Sequence, residues 1–593
     1  DFDNDGWKDL YITNGYLKDV SNSDYLMFTT DSINKAGGVT PQVFKSFQDY
    51  LNLIPTQKLN NYIFKNVDGL NFEDASGGWL DEKPSYSNGS AYADLDNDGD
   101  MDLIVNNYTD PCFLLKNISN DQKKSNYLQI ELEGTSKNIK GFGAKIAIKT
   151  KNGIQYEEME AVRGYFSSSQ PIFHFGLGNE KNVEKIEILW QDGKVNTFLN
   201  QEANKKILVK HIEAKSGKPT LFNINIKTNQ LFEEVAQKPF VWDVAENNFE
   251  DFNRERLLPH KLSNLGPCFA IADVNGDGTE DIYIGAPLGK IGGIVIQDKG
   301  GKFTNTKQVC FSMDTIYEDT KALFFDADGD KDMDLIVLSG GNENPPNSDY
   351  YQHRLYINDG KGSFTRPMGV LPRLTNSGGA VASIDYDKDG DMDLMIGGRS
   401  VPGVYPTLPN SYLLQNNKGK FTDVTENIFP DLKKIGMVTD IKVADLNGDK
   451  NNEVVITGEW MPIQVFSYQS NSFKTETSNY GLGQTNGWWN CIEIIDIDKD
   501  GDLDIVGGNF GTNSRLTAST EFPLTIYAKD FDNNGAIDPI ITHWQDGIEY
   551  PLVMKDPLIK QIPSLRKKYL YYRDYAVAKI DDVFPSKDLK ESL

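Results

Sequence analysis

The chain has 593 residues, with 60 Lys and Arg against 86 Asp and Glu, which gives a formal net charge of −26. This length exceeds the roughly 250–300 residues at which one hydrophobic core stops growing, so more than one structural unit is expected. The excess negative charge repels phosphate backbones and excludes nucleic acid as a natural partner. No apolar run reaches the roughly 18 residues of a transmembrane span, and the five His and four Cys lack the spacing of zinc or iron sites.

One nine-residue pattern organises the chain. It has an acidic residue or Asn at positions 1, 3, 5 and 9, and it begins at the first residue, so we expect the chain to be a fragment whose signal sequence is not present. The pattern occurs eight times, in this order: Asp1, Asp3, Asp5 and Asp9; Asp94, Asp96, Asp98 and Asp102; Asp273, Asn275, Asp277 and Asp281; Asp326, Asp328, Asp330 and Asp334; Asp385, Asp387, Asp389 and Asp393; Asp445, Asn447, Asp449 and Glu453; Asp496, Asp498, Asp500 and Asp504; and Asp530, Asp532, Asn534 and Asp538.

This spacing predicts calcium loops. A hard dication takes about six to eight oxygens, which alternate carboxylates and one carbonyl on a tight loop can supply. We therefore expect several Ca²⁺ ions, up to about eight, and expect the side chain at position 7 to be irrelevant. Position 6 is Gly in six copies, whereas Lys331 and Lys450 occupy it in the other two, which predicts a different turn there.

The loops differ from EF-hands and are predicted to join β-strands. An EF-hand requires Glu at position 12, which is apolar or Gly in every copy, and β-branched stretches such as Leu103-Ile104-Val105 follow the loops directly. Apolar strands, Gly-containing turns and a Phe come next and predict hairpins. Five of the seven intervals between loop starts are shorter than 61 residues, which is the length of one four-stranded propeller blade.

The repeats resemble the FG-GAP (VCBS-type) family, whose namesake segment occurs here as Ile284-Gly285-Ala286-Pro287. The resemblance implies β-propeller blades that bind calcium. Residues 126–210 instead resemble the ASPIC/UnbV domain, which commonly follows FG-GAP repeats in cartilage-acidic-protein-like and bacterial surface proteins. The matching segments are Gly141-Phe142-Gly143-Ala144, Arg163-Gly164-Tyr165, Ser167-Ser168-Ser169-Gln170-Pro171, His174-Phe175-Gly176-Leu177-Gly178 and Trp190-x-Asp192-Gly193.

The expected fold class is all-β, with FG-GAP β-propeller blades, calcium-binding hairpin loops and a small β domain. The expected domains are the end of a first propeller at 1–120 with an insert near 20–60, an ASPIC/UnbV-like domain at 121–212, a linker at 213–264, a second propeller at 265–550 and a partly helical tail at 551–593.

The expected function is non-catalytic binding. The domain combination resembles secreted or lipid-anchored surface proteins of Bacteroidota-type bacteria, which implies an extracellular or outer-membrane location, a glycan or protein ligand and association with uptake components. The alternative is a carbohydrate-active enzyme, a polysaccharide lyase or glycosidase, with its site on the propeller face. No catalytic pair can be nominated, because the acidic residues outside the loops offer no spacing test. His174 lies between two Phe residues on an alternating strand, which favours a structural role. Trp460 and Trp488 could stack on sugars or peptides, although filling blade cores is the commoner role.

Overall fold

The computed structural model describes the chain except for residues 82, 123–124, 223–231, 233–239, 241, 243, 512–513, 515 and 593. The chain divides into two compact units, Asp1–Glu233 and Glu234–Leu593. Strands outweigh helices, and the strands form many small sheets, so the predicted all-β class is confirmed. The short runs of Val, Ile and Leu that bury one or both faces account for these strands.

The first unit begins with two three-stranded sheets, β1-β2-β3 and β4-β5-β6. Its strands are β1 (Leu10–Ile12), β2 (Tyr62–Asn66), β3 (Phe72–Asp74), β4 (Ser87–Ala93), β5 (Asp102–Asn107), β6 (Phe113–Leu115), β7 (Asn126–Glu133), β8 (Lys145–Thr150), β9 (Gly153–Glu158), β10 (Ile172–Gly178), β11 (Asn182–Leu189), β12 (Lys194–Glu202), β13 (Lys205–Lys210) and β14 (Lys215–Ser216). Its helices are α1 (Thr30–Lys35), α2 (Phe47–Leu53), α3 (Ser76–Trp79) and α4 (Ser119–Gln122), with a π-helical turn at Tyr25–Thr29 and a 3-10 turn at His211–Glu213.

The later strands of this unit form two sheets around one apolar core. The sheets have the orders β10-β7-β13 and β14-β12-β11-β8-β9, and β13 runs parallel to β7. Ile130, Phe175 and Ile186 are fully buried in the shared core. Strand β14 pairs with β12, so this β domain extends past residue 212, where the sequence placed its end.

Among its described residues, the second unit contains the remaining strands and seven helices. The strands are β15 (Phe269–Ala272), β16 (Asp281–Ile284), β17 (Gly293–Gln297), β18 (Phe303–Asn305), β19 (Asp319–Phe325), β20 (Asp334–Ser339), β21 (Arg354–Tyr356), β22 (Ser377–Ile384), β23 (Asp393–Ser400), β24 (Tyr412–Asn417), β25 (Lys420–Asp423), β26 (Met437–Ala444), β27 (Glu453–Met461), β28 (Gln464–Gln469), β29 (Ser472–Thr475), β30 (Gly487–Ile495), β31 (Asp504–Asn509), β32 (Thr525–Lys529), β33 (Asp538–Gln545) and β34 (Ile548–Pro551). The helices are α5 (Asp251–Arg254), α6 (Val309–Ser312), α7 (Thr425–Ile428), α8 (Lys555–Gln561), α9 (Tyr572–Ala576), α10 (Ile580–Val583) and α11 (Ser586–Lys590), with 3-10 turns at Asp349–Tyr351, Pro430–Lys434 and Pro563–Lys567.

Consecutive sheets of the second unit stack face to face in chain order. Strands β15 to β18, β19 to β21, β22 to β25 and β26 to β29 each form an antiparallel meander, and the first strand of each meander contacts the first strand of the next. Three apolar cores each contain residues of two consecutive sheets, such as Tyr283 with Leu335, Ile336 with Leu394, and Met395 with Ile456. A fourth core contains Val455 on β27 and Ile492 on β30, two strands of one six-stranded sheet. This succession is propeller-like, as the repeat length suggested.

The predicted linker at 213–264 lies partly outside the described residues, and its last part packs into the second unit. Asp251 is fully buried, and its carboxylate accepts hydrogen bonds from the backbone N–H groups of Leu262 and Ser263, both at 3.1 Å. It also accepts one from the side-chain amide of Asn342 at 3.0 Å. A buried carboxylate needs such donors, so residues 250–264 are part of the folded unit and do not form a free linker.

The close stacking of these sheets predicts that Gly397 tolerates no side chain. A Cβ added to Gly397 on β23 would lie 2.4 Å from Cγ1 of Val438 on β26. We expect Gly397→Ala to lower the free energy of unfolding by about 1–3 kcal/mol, the usual cost of overpacking a core. Urea denaturation measures this change. The control is Gly483→Ala, where a Cβ would make only one contact, at 3.9 Å, and equal stability of the two variants would contradict the prediction.

Candidate metal centres

Seven of the eight acidic loops are the connections of β-hairpins. In seven copies the residue before position 1 pairs across the hairpin with the residue at position 9, as in Ala93 with Asp102 and Ile384 with Asp393. Position 9 is the first residue of the second strand in these seven copies. Asp9 directly precedes β1 in the remaining copy. The prediction that the loops join strands is therefore confirmed.

The carboxylate at position 9 holds the hairpin together. In all eight loops one of its oxygens accepts a hydrogen bond from the backbone N–H of position 2, at 2.7–3.3 Å. In five loops the other oxygen accepts a hydrogen bond, at 2.7–3.0 Å, from a backbone N–H at or near the end of the strand that follows the position-9 strand in the sheet. The donors are Asn66, Asn117, Gln297, Asn358 and Asn416. Position 9 thus has a structural role in addition to the ligand role that the spacing predicted.

Two further hydrogen bonds shape every loop. One oxygen of position 1 accepts the backbone N–H of position 6 at 2.7–3.3 Å. One oxygen of position 5 accepts the backbone N–H of position 7 at 2.7–3.2 Å. These bonds place positions 1 and 5 on the same inner side of the loop.

The eight loops share one turn geometry, so the different turn predicted for the Lys-containing loops is wrong. Positions 4 and 6 have positive φ in every copy. At position 6, φ is 101° for Gly501, 76° for Lys331 and 69° for Lys450. The hydrogen bond from position 6 to position 1 forms in all of these loops and holds Lys in a conformation that normally favours Gly.

The structure brings three carboxylates together in each of at least five loops. One oxygen from each lies within 4.8 Å of the others in these five groups: Asp1, Asp3 and Asp5; Asp94, Asp96 and Asp98; Asp326, Asp328 and Asp334; Asp385, Asp387 and Asp393; and Asp496, Asp498 and Asp500. The third, sixth and eighth loops contain Asn275, Asn447 and Asn534, whose amide oxygens are also ligands for hard cations.

Buried oxygens without hydrogen-bond partners test whether these loops fit a cation. Such oxygens include Oδ1 of Asp1, Asp3, Asp94, Asp385 and Asp532 at positions 1 and 3, and Oδ1 of Asp100 and Asp332 at position 7. A buried acceptor without a donor is rare and costly in folded proteins. At Asp1, Asp94 and Asp385 the loop hydrogen bonds use the second oxygen of the position-1 carboxylate and leave the first one free, so the donor set of these loops fits a hard, oxygen-seeking cation.

Burial and like charge raise the pKa values of several loop carboxyls. Burial is the larger cause at Asp334 and Asp393, and the neighbouring loop carboxylates add to it, so both pKa values rise to about 7. Two position-7 residues, Asp100 and Asp332, are raised to about 6, again mainly by burial. Cations would stabilise the charged forms of these groups.

The side chain at position 7 is not irrelevant, which corrects the sequence prediction. Asp100 is 1% exposed, and its carboxylate accepts hydrogen bonds from the Ser119 hydroxyl and the Asn120 backbone N–H. The Thr279 hydroxyl donates to the Gln297 carbonyl at 2.6 Å. Position-7 side chains therefore connect the loop to the end of a later strand of the same sheet, as at Gln297, or to the segment just after it, as at Ser119 and Asn120. The sequence suggested that only the position-7 carbonyl mattered.

Two lysines contact the first two loops, and sequence reasoning missed both. Nζ of Lys65 on β2 pairs with Asp3 and Asp5, and Nζ of Lys116 pairs with Asp96 at 2.6 Å. An ammonium group neutralises the same carboxylates that a cation would bind, so it competes for them. Nothing in the nine-residue spacing signals these lysines, because Lys65 lies on β2 and Lys116 directly follows β6, both outside the loop.

Asparagines after the third strand join neighbouring repeats, and sequence reasoning missed them too. Nδ2 of Asn358 donates to the carbonyl of Met333 in its own hairpin and to the carbonyl of Val274 in the preceding loop, at 3.2 and 2.8 Å. Asn416 bridges Met392 and Ala327 in the same way. A recurring Asn at the end of the third strand, also seen at Asn66 and Asn117, was the available signal.

In the first unit the first two loops pack on the β10-β7-β13 sheet. Nε2 of His174 hydrogen-bonds to Oδ1 of Asn4 at 2.6 Å, and Nε2 of Gln129 donates to Oδ2 of Asp94 at 2.7 Å. Burial lowers the pKa of His174 to about 3, so its imidazole is neutral. These contacts give His174 a structural role, in agreement with the sequence interpretation.

Two kinds of segment in the chain match models of known protein families. A family model described as ASPIC and UnbV matches residues 134–216, and an FG-GAP-like repeat model matches residues 273–337 and 445–507. Cartilage acidic protein 1 of Xenopus tropicalis is 30% identical over 127 residues, which are 21% of this chain and 19% of that protein. The Homo sapiens protein of the same name is 28% identical over 118 residues, 19% of this chain and 17% of that protein. The matches thus span less than a fifth of these relatives.

The crystal structure of the V. cholerae biofilm matrix protein Bap1 is 13% identical, with 46% of this chain and 37% of that chain covered and a TM-score of 0.23. This likeness is too low to indicate a shared fold. In the described part of the chain, no helix is both long and apolar enough to cross a membrane. The family matches and the all-β architecture agree with the sequence resemblance. This chain contains FG-GAP-like repeats and an ASPIC/UnbV domain, and it is a β-repeat protein of the extracellular type.

Proposed function

We propose that this protein is a calcium-binding, non-catalytic protein of the cell exterior or outer-membrane surface. Its acidic hairpin loops hold up to about eight Ca²⁺ ions, and its stacked sheets present binding surfaces for a glycan or protein ligand, in association with nutrient-uptake components. The observation that carries the proposal is the shared loop geometry. The same three hydrogen bonds recur in all eight loops, and buried acceptors without donors remain at positions 1 and 3 in four of them.

The ligand residues would be those at positions 1, 3, 5 and 9, together with the backbone carbonyl of position 7. When bound, calcium supplies a positive charge that offsets the repulsion between neighbouring carboxylates. The position-9 carboxylate links the loop to the next hairpin, and Asn358 and Asn416 link one repeat to the loop before it. A calcium ion that orders one loop would therefore stabilise two adjacent sheets.

An extracellular setting supports this proposal. Extracellular calcium modules bind with Kd values of about 10⁻⁴–10⁻³ M, which the calcium concentrations outside cells can saturate. FG-GAP-like repeats are typical of extracellular proteins. The first two loops, where Lys65 and Lys116 pair with ligand carboxylates, would bind most weakly, because each lysine must move or release its partner first.

We expect Asp500→Ala to remove one calcium ion from the stoichiometry, because Asp500 belongs to the carboxylate trio of the seventh loop. Isothermal titration calorimetry of the decalcified protein counts the ions. The matched control is Asp502→Ala at position 7 of the same loop, where the proposed ligand is the carbonyl, so the count should not change. An unchanged count in Asp500→Ala would contradict this ligand assignment.

Removing calcium should lower the melting temperature of the protein. An ion that binds only the folded state adds RT ln(1 + [L]/Kd), about 2.7 kcal/mol per site at a hundredfold excess over Kd. Differential scanning calorimetry in a chelator and in millimolar calcium measures the shift, with magnesium at the same concentration as the control. A melting temperature that is the same in chelator and in calcium would refute the stabilising role.

Calcium affinity should fall as the pH drops below about 7, because Asp334 and Asp393 have pKa values of about 7 without metal and must lose protons to bind it. Their folded pKa values lie above the roughly 3.9 of an unfolded Asp. The stability that comes from protonation is therefore full below about pH 4 and lost as the pH rises through 7.

In a chelator, the metal-free protein should thus be less stable at about pH 8 than at about pH 5, and calcium should reduce this difference. Thermal melts at both pH values test it. The Asp334→Asn and Asp393→Asn double variant should lose much of the dependence in chelator. Calcium affinity that stays constant between these pH values would contradict the prediction.

A further inference from the structure

A cavity of about 430 Å³ lies in the second unit where strands β19, β22, β26 and β30 of three consecutive sheets meet. Thr320 on β19, Gly378 on β22, Thr439 on β26 and Asn490 on β30 line it. Its volume lies within the roughly 300–1,000 Å³ of small-molecule sites. No acidic hairpin loop lines this cavity, so it is separate from the candidate metal centres.

A buried charged cluster forms one wall of the cavity. Oε1 of Glu459 accepts hydrogen bonds from Nη2 of Arg399 at 2.5 Å and from Nε2 of His260 at 2.8 Å. Arg399 is 6% exposed and Glu459 is 2% exposed. Oε2 of Glu459 and Nη1 of Arg399 have no hydrogen-bond partner among the described residues. Such unsatisfied groups are rare in folded proteins, and here one acceptor and one donor are buried behind the cavity wall without a partner among the described residues.

Glu459 is an acceptor and not a proton donor. Burial alone would raise its pKa, but Arg399 and the hydrogen bond from His260 outweigh burial and lower the pKa to about 2. The carboxylate therefore stays ionised at neutral pH. A fixed carboxylate beside a fixed guanidinium is suited to binding hydroxyl groups, which both donate and accept hydrogen bonds.

Aromatic rings form a second wall, and the backbone beside them is strained. The rings of Trp488 and Phe510 stack at 5.2 Å, and Trp460 lies 5.6 Å from Trp488. Trp460 has φ of 61°, and the pairing of β27 with β30 shifts register between Glu459 and Met461. Bulges and positive φ at a bulky residue are uncommon and concentrate at functional sites, where they re-aim side chains. The half-buried face of Trp488 thus lies beside the charged cluster.

The remaining charges of the cavity are positive. Lys321 on β19 lines the cavity, is exposed and makes no ion pair with any described residue. Lys261 also lines it, although its Nζ is held by Glu250 at 3.0 Å. Glu459, already paired, is the one acidic residue among the lining residues. A basic cavity in a chain of net charge −26 favours an anionic ligand.

We propose that this cavity binds an acidic sugar, a uronic acid unit of a polysaccharide, with its ring against Trp488, its hydroxyls on Arg399 and Glu459, and its carboxylate near Lys321. The proposal rests on the proposed function as a glycan-binding protein and gives that function a site and a ligand class. The apolar ring face, the paired donor and acceptor, and the free ammonium group together match a charged sugar better than an inorganic anion or a neutral sugar.

Isothermal titration calorimetry of the full chain in calcium-buffered solution tests this proposal. The probes are a trimer of galacturonate and a trimer of galactose. We expect the acidic trimer to bind at least about tenfold more tightly than the neutral one, a difference of about 1.4 kcal/mol. Lys321→Gln should remove most of this preference. Trp488→Ala should weaken the binding of both trimers by about tenfold or more. The control is Lys420→Gln, an exposed lysine on β25 outside the cavity.

Three results would overturn the proposal: equal affinity for both trimers, no binding of either trimer, or unchanged binding in a folded Trp488→Ala variant. If Trp488→Ala melts early, Trp488→Phe keeps a ring in place and should retain binding, while Lys321→Gln still tests the charge. Calcium stoichiometry is measured separately. Loss of sugar binding with normal calcium binding contradicts this site alone, whereas loss of calcium binding with normal sugar binding contradicts the calcium part of the proposed function.

Discussion

The structure depends on a carboxylate that closes each hairpin. At position 9 of every acidic loop, one oxygen accepts the backbone N–H of position 2, as at Asp281 and Asp393. In five loops the other oxygen accepts a backbone N–H from the hairpin that follows. A carboxyl group that accepts from two backbone donors satisfies buried N–H groups that would otherwise lack partners. It sets the register of two strands and positions the ligand carboxylates of the loop.

Contacts between repeats extend this local order. Asn358 and Asn416 each join two carbonyls from consecutive repeats, and apolar cores fill the space between consecutive sheets. Because each repeat contacts mainly its neighbours, stability in such an array is approximately a sum of repeat and interface contributions. A cation that orders one loop would therefore act on the neighbouring sheet as well. In the first unit, His174 and Gln129 connect two loops to the ASPIC/UnbV domain by the same kind of direct hydrogen bond.

The cavity and the loops lie at different places in the second unit. The loops connect strands within each sheet, whereas the cavity lies where strands of three sheets converge. Unsatisfied polar atoms mark both places, carboxylate oxygens at the loops and the Arg399 and Glu459 groups at the cavity. Stability is concentrated in hydrogen-bonded hairpins and dry cores. The strained backbone at Trp460 lies beside the cavity, where strain has a use in aiming side chains.

The sequence by itself determined the parts of this protein that form within short stretches of chain. The loop spacing, the strands that begin at residues such as Asp393, and the hairpins follow from neighbours within about ten residues, because a turn and its first hydrogen bonds are local. The tertiary structure alone decided which distant groups meet. Lys65 reaches Asp5 across 60 residues, and His260 reaches Glu459 across 199. No local pattern encodes such pairs, because they depend on how whole sheets stack, and stacking is set by the combined shape of many apolar side chains.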